Sequence, residues 1–139
     1  MKLKFKLLKK TAKLPVKAHL DDAGFDLFLP QSVKIAPSQK ALIELGISSQ
    51  IPKGHFVLIK DRSSVALSGL HLLAGVIDAG YRGEWKIIAV NLGKETLEFR
   101  KGDKIAQGIL LKLPEFQIEE TRKLDESERL SGGFGSTGR

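Results

Sequence analysis

The segment from Gly75 to Gly83 combines an acid, an aromatic ring and turn-forming residues. Gly80 can supply the positive φ of a type II turn whose first residue is Asp78, so the segment predicts a tight β-hairpin. Asp78 in that turn either bonds to turn amides or, beside a reactive phosphate, acts as the general base that polarises a water for in-line attack. Tyr81 adds a flat ring that is suited to packing on the face of a sugar.

Arg62, Ser63 and Ser64 stand at the start of a short predicted helix that continues to Leu67. Helix N-termini bind phosphate through unpaired amides and the helix dipole, and a guanidinium with two hydroxyls strengthens such a site. The alternative is that the hydroxyls only cap the helix. The stretch is therefore either a candidate phosphate site or a plain helix start.

The last eight residues, 132–139, include four glycines. Ordering a chain costs roughly 1–2 kcal/mol per residue and more at glycine, so this segment is expected to be mobile until a ligand holds it. Amides flanked by glycine, with the hydroxyls of Ser136 and Thr137, suit phosphate oxygens, and Phe134 suits a stacked ring. The segment predicts a lid over a nucleotide; a disordered end is the alternative.

The rest of the chain has apolar residues with a period of two, interrupted by turn signals. Short strands are predicted at 41–45, 56–59, 85–90, 97–99 and 105–111. At the basic start, Lys2, Lys4 and Lys6 alternate with apolar residues, which predicts an edge strand with one charged face. Many short strands, one short helix and no domain linker predict a single-domain, all-β sandwich or barrel.

The composition excludes several functional classes. The chain has 139 residues, 42% hydrophobic and 28% charged, which is typical of a globular domain. It has no cysteine for a disulfide or thiolate metal site, and no apolar run that predicts a membrane span or secretory signal. We therefore expect an intracellular, cytoplasmic protein, with a nuclear or organellar site left open. The net charge of +7 favours anionic partners, but without base-reading helices and spaced aromatics neither nucleic acid nor membrane is expected as a partner.

Taken in chain order, these segments resemble the five motifs of the trimeric dUTP pyrophosphatase (dUTPase) family. The resemblance rests on their order and spacing over nearly the whole chain, from residue 23 to residue 138. The matching segments are Ala23–Leu27, Arg62–Ala66, Gly75–Gly83, Gly102–Gln107 and Arg129–Gly138. The sequence departs from the common pattern at Asp61, where a proline is frequent, and at Leu72, where many members have an asparagine.

The resemblance implies a jelly-roll, or β-clip-like, barrel with one short helix. Residues 1–128 would form the catalytic barrel and residues 129–139 a flexible, glycine-rich C-terminal lid of the same domain. The family is homotrimeric, and each active site takes residues from three chains. The implied activity is that of a hydrolase, a dUTP diphosphatase that uses Mg²⁺ and converts dUTP to dUMP and pyrophosphate. That reaction keeps uracil out of DNA and supplies dUMP for thymidylate synthesis.

The same resemblance implies a task for each motif. Asp78 is the base that activates water for attack on the α-phosphorus, and Tyr81 packs under the deoxyribose. Asp26 acts on Mg²⁺ indirectly, through water. Substrate-binding residues are implied at the base (Gly75, Val76, Ile77, Tyr81, Lys86), at the phosphates (Arg62, Ser63, Ser64, Gln107) and in the lid (Arg129, Phe134, Gly135, Ser136, Thr137).

Two other functions on the same fold are alternatives. A dCTP deaminase-like enzyme also carries an Arg-Ser-Ser run, but it needs a glutamate base on the strand where this chain has Ile88. An apolar side chain cannot carry protons, which argues against deamination. The second alternative is a catalytically silent, dUTP-sensing or regulatory protein, and the retention of Asp78, Tyr81, Arg129 and Phe134 argues against it.

Overall fold

The computed structural model describes residues 1–127, which form eleven β-strands and one short helix. The predicted all-β class is confirmed, and the helix and the five strands that were predicted with stated bounds lie within one residue of those bounds. The elements are β1 Lys4–Leu7, β2 Phe25–Phe28, β3 Val33–Ile35, β4 Lys40–Glu44, β5 Ile47–Gln50, β6 His55–Lys60, α1 Ser63–Leu67, β7 Leu70–Ala74, β8 Val76–Asp78, β9 Lys86–Asn91, β10 Leu97–Phe99 and β11 Lys104–Lys112.

Antiparallel pairing assembles the strands into two larger sheets and two strand pairs. The order β2-β11-β6-β8 forms the first sheet and β4-β9-β7 the second, while β1 pairs with β5 and β3 with β10. Alternate residues, such as Val57 and Ile59 of β6 and Ile87 and Ala89 of β9, are buried in one shared core. The pleat therefore turns the intervening side chains of both sheets outward, where they can meet a ligand or another surface.

The N-terminal strand β1 pairs only with β5, so it is the edge strand that its alternating lysines predict. Phe5, between the two exposed lysines, packs against the core. Its ring centroid lies 5.2 Å from that of Trp85 and 5.8 Å from that of Phe25, both edge-on. Trp85 Nε1 donates to Ser49 Oγ of β5 at 3.1 Å. This aromatic cluster of Phe5, Phe25 and Trp85 joins β1 to β2 and to the start of β9.

The prediction of a β-hairpin after residue 75 is wrong. β8 pairs with β6 in the first sheet, whereas β9 pairs with β4 and β7 in the second. Trp85 is fully buried, and its backbone N–H donates to Ile47 O at 2.8 Å. The chain therefore crosses to the second sheet before β9 begins. Gly80 does not have a positive φ, so the turn closed by the bond from Tyr81 N to Asp78 O at 3.1 Å is not type II.

Candidate active site

The residues that the sequence predicts at the phosphates and the metal line one pocket of about 480 Å³, the polar pocket. It lies between β2, the start of α1 and the first half of β11. Asp26 of β2 and Gln107 of β11 are direct antiparallel partners at its floor. The lining residues are Ala18, Asp22, Ala23, Gly24, Asp26, Arg62, Ser63, Ser64, Lys104 and Gln107.

Asp26 is held between two cations in the polar pocket. Arg62 Nε lies 2.9 Å from Asp26 Oδ1, and Lys104 Nζ lies 2.7 Å from Asp26 Oδ2. The Asp26 side chain is only 14% exposed, so water screens these pairs less than it screens surface pairs. Arg62 and Lys104 thus bring two cationic side chains to the pocket, which Asp22 and Asp26 balance in formal charge.

Lys104 is a pocket residue that the sequence did not predict. Strict alternation puts residues three apart on opposite faces of a strand. The register of β11 against β2 shifts between Lys104 and Ala106, and this β-bulge brings Lys104 to the same pocket as Gln107. The one available signal was a cation within the Gly102–Gln107 segment, and nothing in that segment marks the bulge.

The start of α1 differs from the predicted hydroxyl cap. Arg62 occupies the N-cap with φ −87° and ψ 140°, and it makes no side-chain cap hydrogen bond. The N–H groups of Val65 and Ala66 bond instead to Arg62 O at 3.0 and 2.8 Å. Ser63 and Ser64 therefore lie inside the helix rather than before it, with exposed side chains at the polar pocket. Their hydroxyls are available to a ligand.

Asp61 ties the end of β6 to β7 and β11. Its carboxylate accepts the Leu72 N–H at 2.8 Å and lies 2.8 Å from His71 Nδ1. Its backbone carbonyl accepts from Gln107 Nε2 at 2.8 Å, which fixes the Gln107 amide next to Gly24. A Cβ added at Gly24 would lie 2.9 Å from Gln107 Oε1. These bonds explain the acid at position 61, and Leu72 itself is buried in the core.

A second, smaller pocket of about 160 Å³, the Asp78 pocket, is lined by Val76, Ile77, Asp78, Tyr81 and Lys86. Asp78 is exposed at the end of β8, and within residues 1–127 its carboxylate takes part in no hydrogen bond or ion pair. The sequence alternative in which Asp78 bonds to turn amides is therefore not observed there. Gly75 precedes the strand at a point where a Cβ would lie 2.7 Å from Ile59 Cβ.

The turn after Asp78 is held by its own arginine and tyrosine. Arg82 Nη1 donates to Ala79 O at 2.7 Å and to Tyr81 O at 3.0 Å. The Tyr81 hydroxyl donates to Glu84 O at 2.9 Å, while the residue stays 43% exposed. The Tyr81 ring is thus fixed at its tip and offers its remaining surface to the pocket.

Lys86 enters the Asp78 pocket from β9 and is bound by Glu44 of β4. The two residues are direct cross-strand partners, and Lys86 Nζ lies 3.0 Å from Glu44 Oε1. Lys9 Nζ lies 2.8 Å from Glu44 Oε2 and 3.4 Å from Glu84 Oε1. Hydrogen bonds from Lys9 and Lys86 lower the pKa of Glu44 to about 2, and the bond to Glu44 raises the pKa of Lys86. We call these four side chains the charge network.

The two pockets lie at opposite ends of β6. Asp78 is opposite Phe56, and Gln107 is opposite Lys60. Four residues along the strand and two strand spacings separate their Cα atoms, a distance of roughly 16 Å. The outward residue between them, Leu58, is apolar and pairs with apolar residues on both neighbouring strands. One chain therefore does not bring the predicted phosphate groups and Asp78 into one cavity.

The lid residues that the sequence predicts, Arg129, Phe134, Gly135, Ser136 and Thr137, lie outside the described residues. Within residues 1–127, no three His, Cys, Asp or Glu side chains are grouped so that they could hold a metal ion. In the same part of the chain, no helix has the length and apolar character that crossing a membrane requires.

The fold and the site define an antiparallel all-β protein with a polar pocket and, apart from it, an exposed carboxylate in a second pocket. Comparison with known proteins gives the family. The sequence model described as dUTPase matches residues 10–138. The chain belongs to the dUTPase family.

Named relatives match over nearly the full length. The chain is 48% identical over 140 residues to the deoxyuridine 5'-triphosphate nucleotidohydrolase of Clostridium tetani, covering 99% of this chain and 97% of the relative. It is 39% identical to that of Mus musculus, covering 99% and 85%. Among solved structures, a Staphylococcus bacteriophage 80alpha dUTPase with dUpNHpp superposes with a TM-score of 0.92 at 28% identity, covering 99% of each chain.

Proposed function

We propose that this protein hydrolyses dUTP to dUMP and pyrophosphate, which removes dUTP from the DNA precursor pool and supplies dUMP for thymidylate synthesis. The assignment of dUTP as substrate is supported by relatives that match over nearly the full length and are named deoxyuridine 5'-triphosphate nucleotidohydrolase. The observation that carries the mechanism is the Asp78 carboxylate, exposed in one pocket with Tyr81 and Lys86 and bound by none of the described groups.

Asp78 takes a proton from a water molecule, and that water attacks the α-phosphorus. The new bond joins water oxygen to phosphorus as the bond to the bridging α–β oxygen breaks, and the electron pair leaves with pyrophosphate. The Tyr81 ring packs under the deoxyribose. The backbone of Gly75, Val76 and Ile77, with Lys86, meets the uracil; the Ile77 side chain is buried, so only its backbone is available.

The polar pocket receives the phosphates. Arg62 and Gln107 have donors there, and the hydroxyls of Ser63 and Ser64 are exposed beside them. Lys104 joins this set, because its ammonium lies in the same pocket. Arg129, Phe134, Gly135, Ser136 and Thr137 complete the site as a lid, with Phe134 stacked on the uracil, a role that rests on the sequence alone.

Mg²⁺ arrives with the triphosphate as part of the substrate. The described residues offer no cluster of ligands for a resident metal, and both Asp26 carboxylate oxygens already contact cations. Mg²⁺ commonly keeps several waters when it binds through substrate phosphates. Asp26 therefore fits an indirect role, in which it bonds to metal-bound water and orients Arg62 and Lys104.

We infer a homotrimer with active sites shared between chains. The roughly 16 Å between Asp78 and Gln107, estimated from strand geometry, supports a site in which these residues come from different chains. Exposed apolar side chains also call for cover. Val76 on the first sheet is 59% exposed, Leu42 on the second is 62% exposed, and Phe116 and Ile118 after β11 are 70% and 92% exposed.

A nucleotide panel tests the substrate. Purified protein with Mg²⁺ is given dUTP, dCTP, dTTP or UTP, and monophosphate and pyrophosphate are quantified by chromatography. We expect dUTP to be preferred over dTTP by at least about tenfold for steric reasons, and over dCTP by more, because a mismatched base leaves buried polar groups unpaired. Equal turnover of dTTP or dCTP contradicts the proposal, and release of ammonia from dCTP identifies a deaminase instead.

Asp78→Asn tests the base. The amide keeps the shape of the side chain but cannot accept the proton, so turnover should fall by about 10²–10⁴-fold while dUTP binding persists. Asp125→Asn, at an exposed position outside both pockets, is the matched control. An Asp78→Asn variant within a few-fold of the parent rate would place the base elsewhere.

A further inference from the structure

Asp78 and Lys86 line the same pocket, yet they do not pair. Lys86 Nζ lies instead 3.0 Å from Oε1 of Glu44, its cross-strand partner on β4. Lysine carries its charge on a flexible four-carbon stem with freely rotating donors, so a lysine in this pocket is a natural ion-pair partner for an unpaired carboxylate. Some feature of the fold must direct the ammonium toward Glu44 instead.

The charge network supplies that feature. Glu44 accepts from Lys86 through one carboxylate oxygen and from Lys9 through the other, at 2.8 Å. Lys9 also lies 3.4 Å from Glu84 Oε1, and Glu84 is fixed by the Gly46 N–H at 2.9 Å. Two lysines and two glutamates balance, so the Lys86 charge is compensated without the Asp78 carboxylate.

We propose that Glu44 is a positioning residue for the reaction: it holds the Lys86 ammonium away from Asp78 and so keeps the carboxylate a competent base. The inference rests on the proposed function only for the role of Asp78 as base. A cation next to a carboxylate favours its charged form and makes it a weaker proton acceptor. Glu44 thus acts on the reaction through Lys86 and touches neither water nor substrate.

The other charged or titratable groups around Asp78 are already committed. Arg82 Nη1 bonds to two carbonyls of the turn, and the Tyr81 hydroxyl bonds to Glu84 O. His55, which precedes the cross-strand partner of Asp78, has Nδ1 at 3.2 Å from Lys53 O. Lys86 is the one cation whose side chain lines the pocket among the described residues. Lys86 is charged at neutral pH, and its bond to Glu44 raises its pKa further.

The test releases Lys86 and follows the Asp78 carboxyl group. In Glu44→Gln, the ammonium loses its anionic partner, so the midpoint of a ¹³C NMR titration of the Asp78 carboxyl carbon should move to lower pH by about one unit. The acid limb of the kcat profile should move in the same direction. In Glu44→Gln combined with Lys86→Met, the cation is gone, and the midpoint should return to the parent value.

Glu98→Gln is the matched control. Glu98 and Lys34 are also direct cross-strand partners, at 2.7 Å, but they join β10 to β3 and line neither pocket. The proposal is overturned if Glu44→Gln leaves the Asp78 midpoint where Glu98→Gln leaves it, or if the shift persists in the double variant. If Glu44→Gln does not fold, the same titration of the Asp78 carboxyl carbon is made on Glu44→Asp, whose carboxylate is on a side chain one methylene shorter. The titration reads Asp78 directly, so it stands apart from whether Asp78→Asn loses turnover.

Discussion

Glu44 links the charge state of the protein to its stability. Its carboxylate lies between Lys9 and Lys86, which lower its pKa from 4.5 to about 2. A carboxyl group with a depressed folded-state pKa stabilises the fold above its unfolded pKa, and this contribution is lost as the pH falls through the folded-state value. The contribution of Glu44 is therefore complete above a pH of about 4.5 and declines toward a pH of about 2.

Glu44→Gln should lower the urea midpoint of unfolding near neutral pH, because the neutral amide keeps the packing but loses the attraction to both lysines. The difference from the parent should shrink as the pH falls below about 4.5 and vanish only below about 2, as the parent carboxylate also becomes neutral. Urea titrations of both proteins across this range provide the measurement. A difference that stays constant down to the lowest pH would assign the effect to packing rather than charge.

Substitutions of Ser63 and Ser64 at the start of α1 can show whether their hydroxyls serve the stability of the helix or the binding of a ligand. Because the helix begins at the N-cap Arg62 without a side-chain cap from either serine, Ser63→Ala and Ser64→Ala should each change stability by less than about 0.5 kcal/mol. Both variants should raise KM for dUTP, since the hydroxyls are placed for the phosphates. Thermal melts and steady-state kinetics measure the two effects separately.

Ser68→Ala, at the other end of the same helix, is the matched control for this pair. Its hydroxyl donates to Val65 O at 2.6 Å and does not line the polar pocket, so the variant should lose stability and keep KM. Unchanged KM together with lower stability in Ser63→Ala would show that the serine serves the helix after all.

Local patterns were sufficient to predict most elements. Alternation along a strand is a property of a few consecutive residues, which is why β6 and β10 lie where their apolar periodicity puts them. The prediction of a hairpin was wrong because the path of the chain after β8 depends on contacts with residues distant in sequence. Trp85 is buried against β1 and β5, and the chain continues from it into the second sheet. The prediction of a hydroxyl cap was wrong for a local reason: the N-cap residue is Arg62, whose side chain makes no cap hydrogen bond.

Motif order predicted which residues meet in the polar pocket, but not how they are held. Asp61 looked like an unexplained substitution in the sequence, because its partners His71 and Leu72 arrive from β7. Lys104 was missed because a register shift is set by pairing between strands that are far apart in the chain. The charge network is hidden for the same reason, since its members come from three parts of the sequence.

As a whole molecule, the protein should be a trimer with mixed sites. Light scattering should give three times the chain mass of 15.3 kDa. Asp78→Asn chains and Arg62→Ala chains, each nearly inactive alone, should regain activity when refolded together, because some sites then combine intact residues from different chains. Mixing Asp78→Asn with itself is the control. A monomer with full activity would refute the shared site.

Deleting residues 132–139 should separate catalysis from stability. The prediction rests on the sequence of this segment, in which half of the residues are glycine and few side chains can be buried. Melting without ligand should be nearly unchanged, while kcat/KM for dUTP should fall strongly, since a closing lid excludes water and completes the phosphate-binding groups. Phe134→Ala should show a milder loss. Undiminished catalytic efficiency after truncation would favour the disordered-end alternative.

The aromatic cluster gives the protein an optical reporter of its own. Trp85 is the one tryptophan in the chain and is fully buried, so its emission should be that of an indole shielded from water and from dissolved quenchers. Phe5 covers it from β1, and Phe25 covers it from the residue directly before Asp26. A red shift without global unfolding would therefore signal that β1 has left β5 or that the strand bearing the pocket's acid has moved. The packing of β1 and β2 against Trp85 can therefore be followed by intrinsic tryptophan fluorescence, with no added dye.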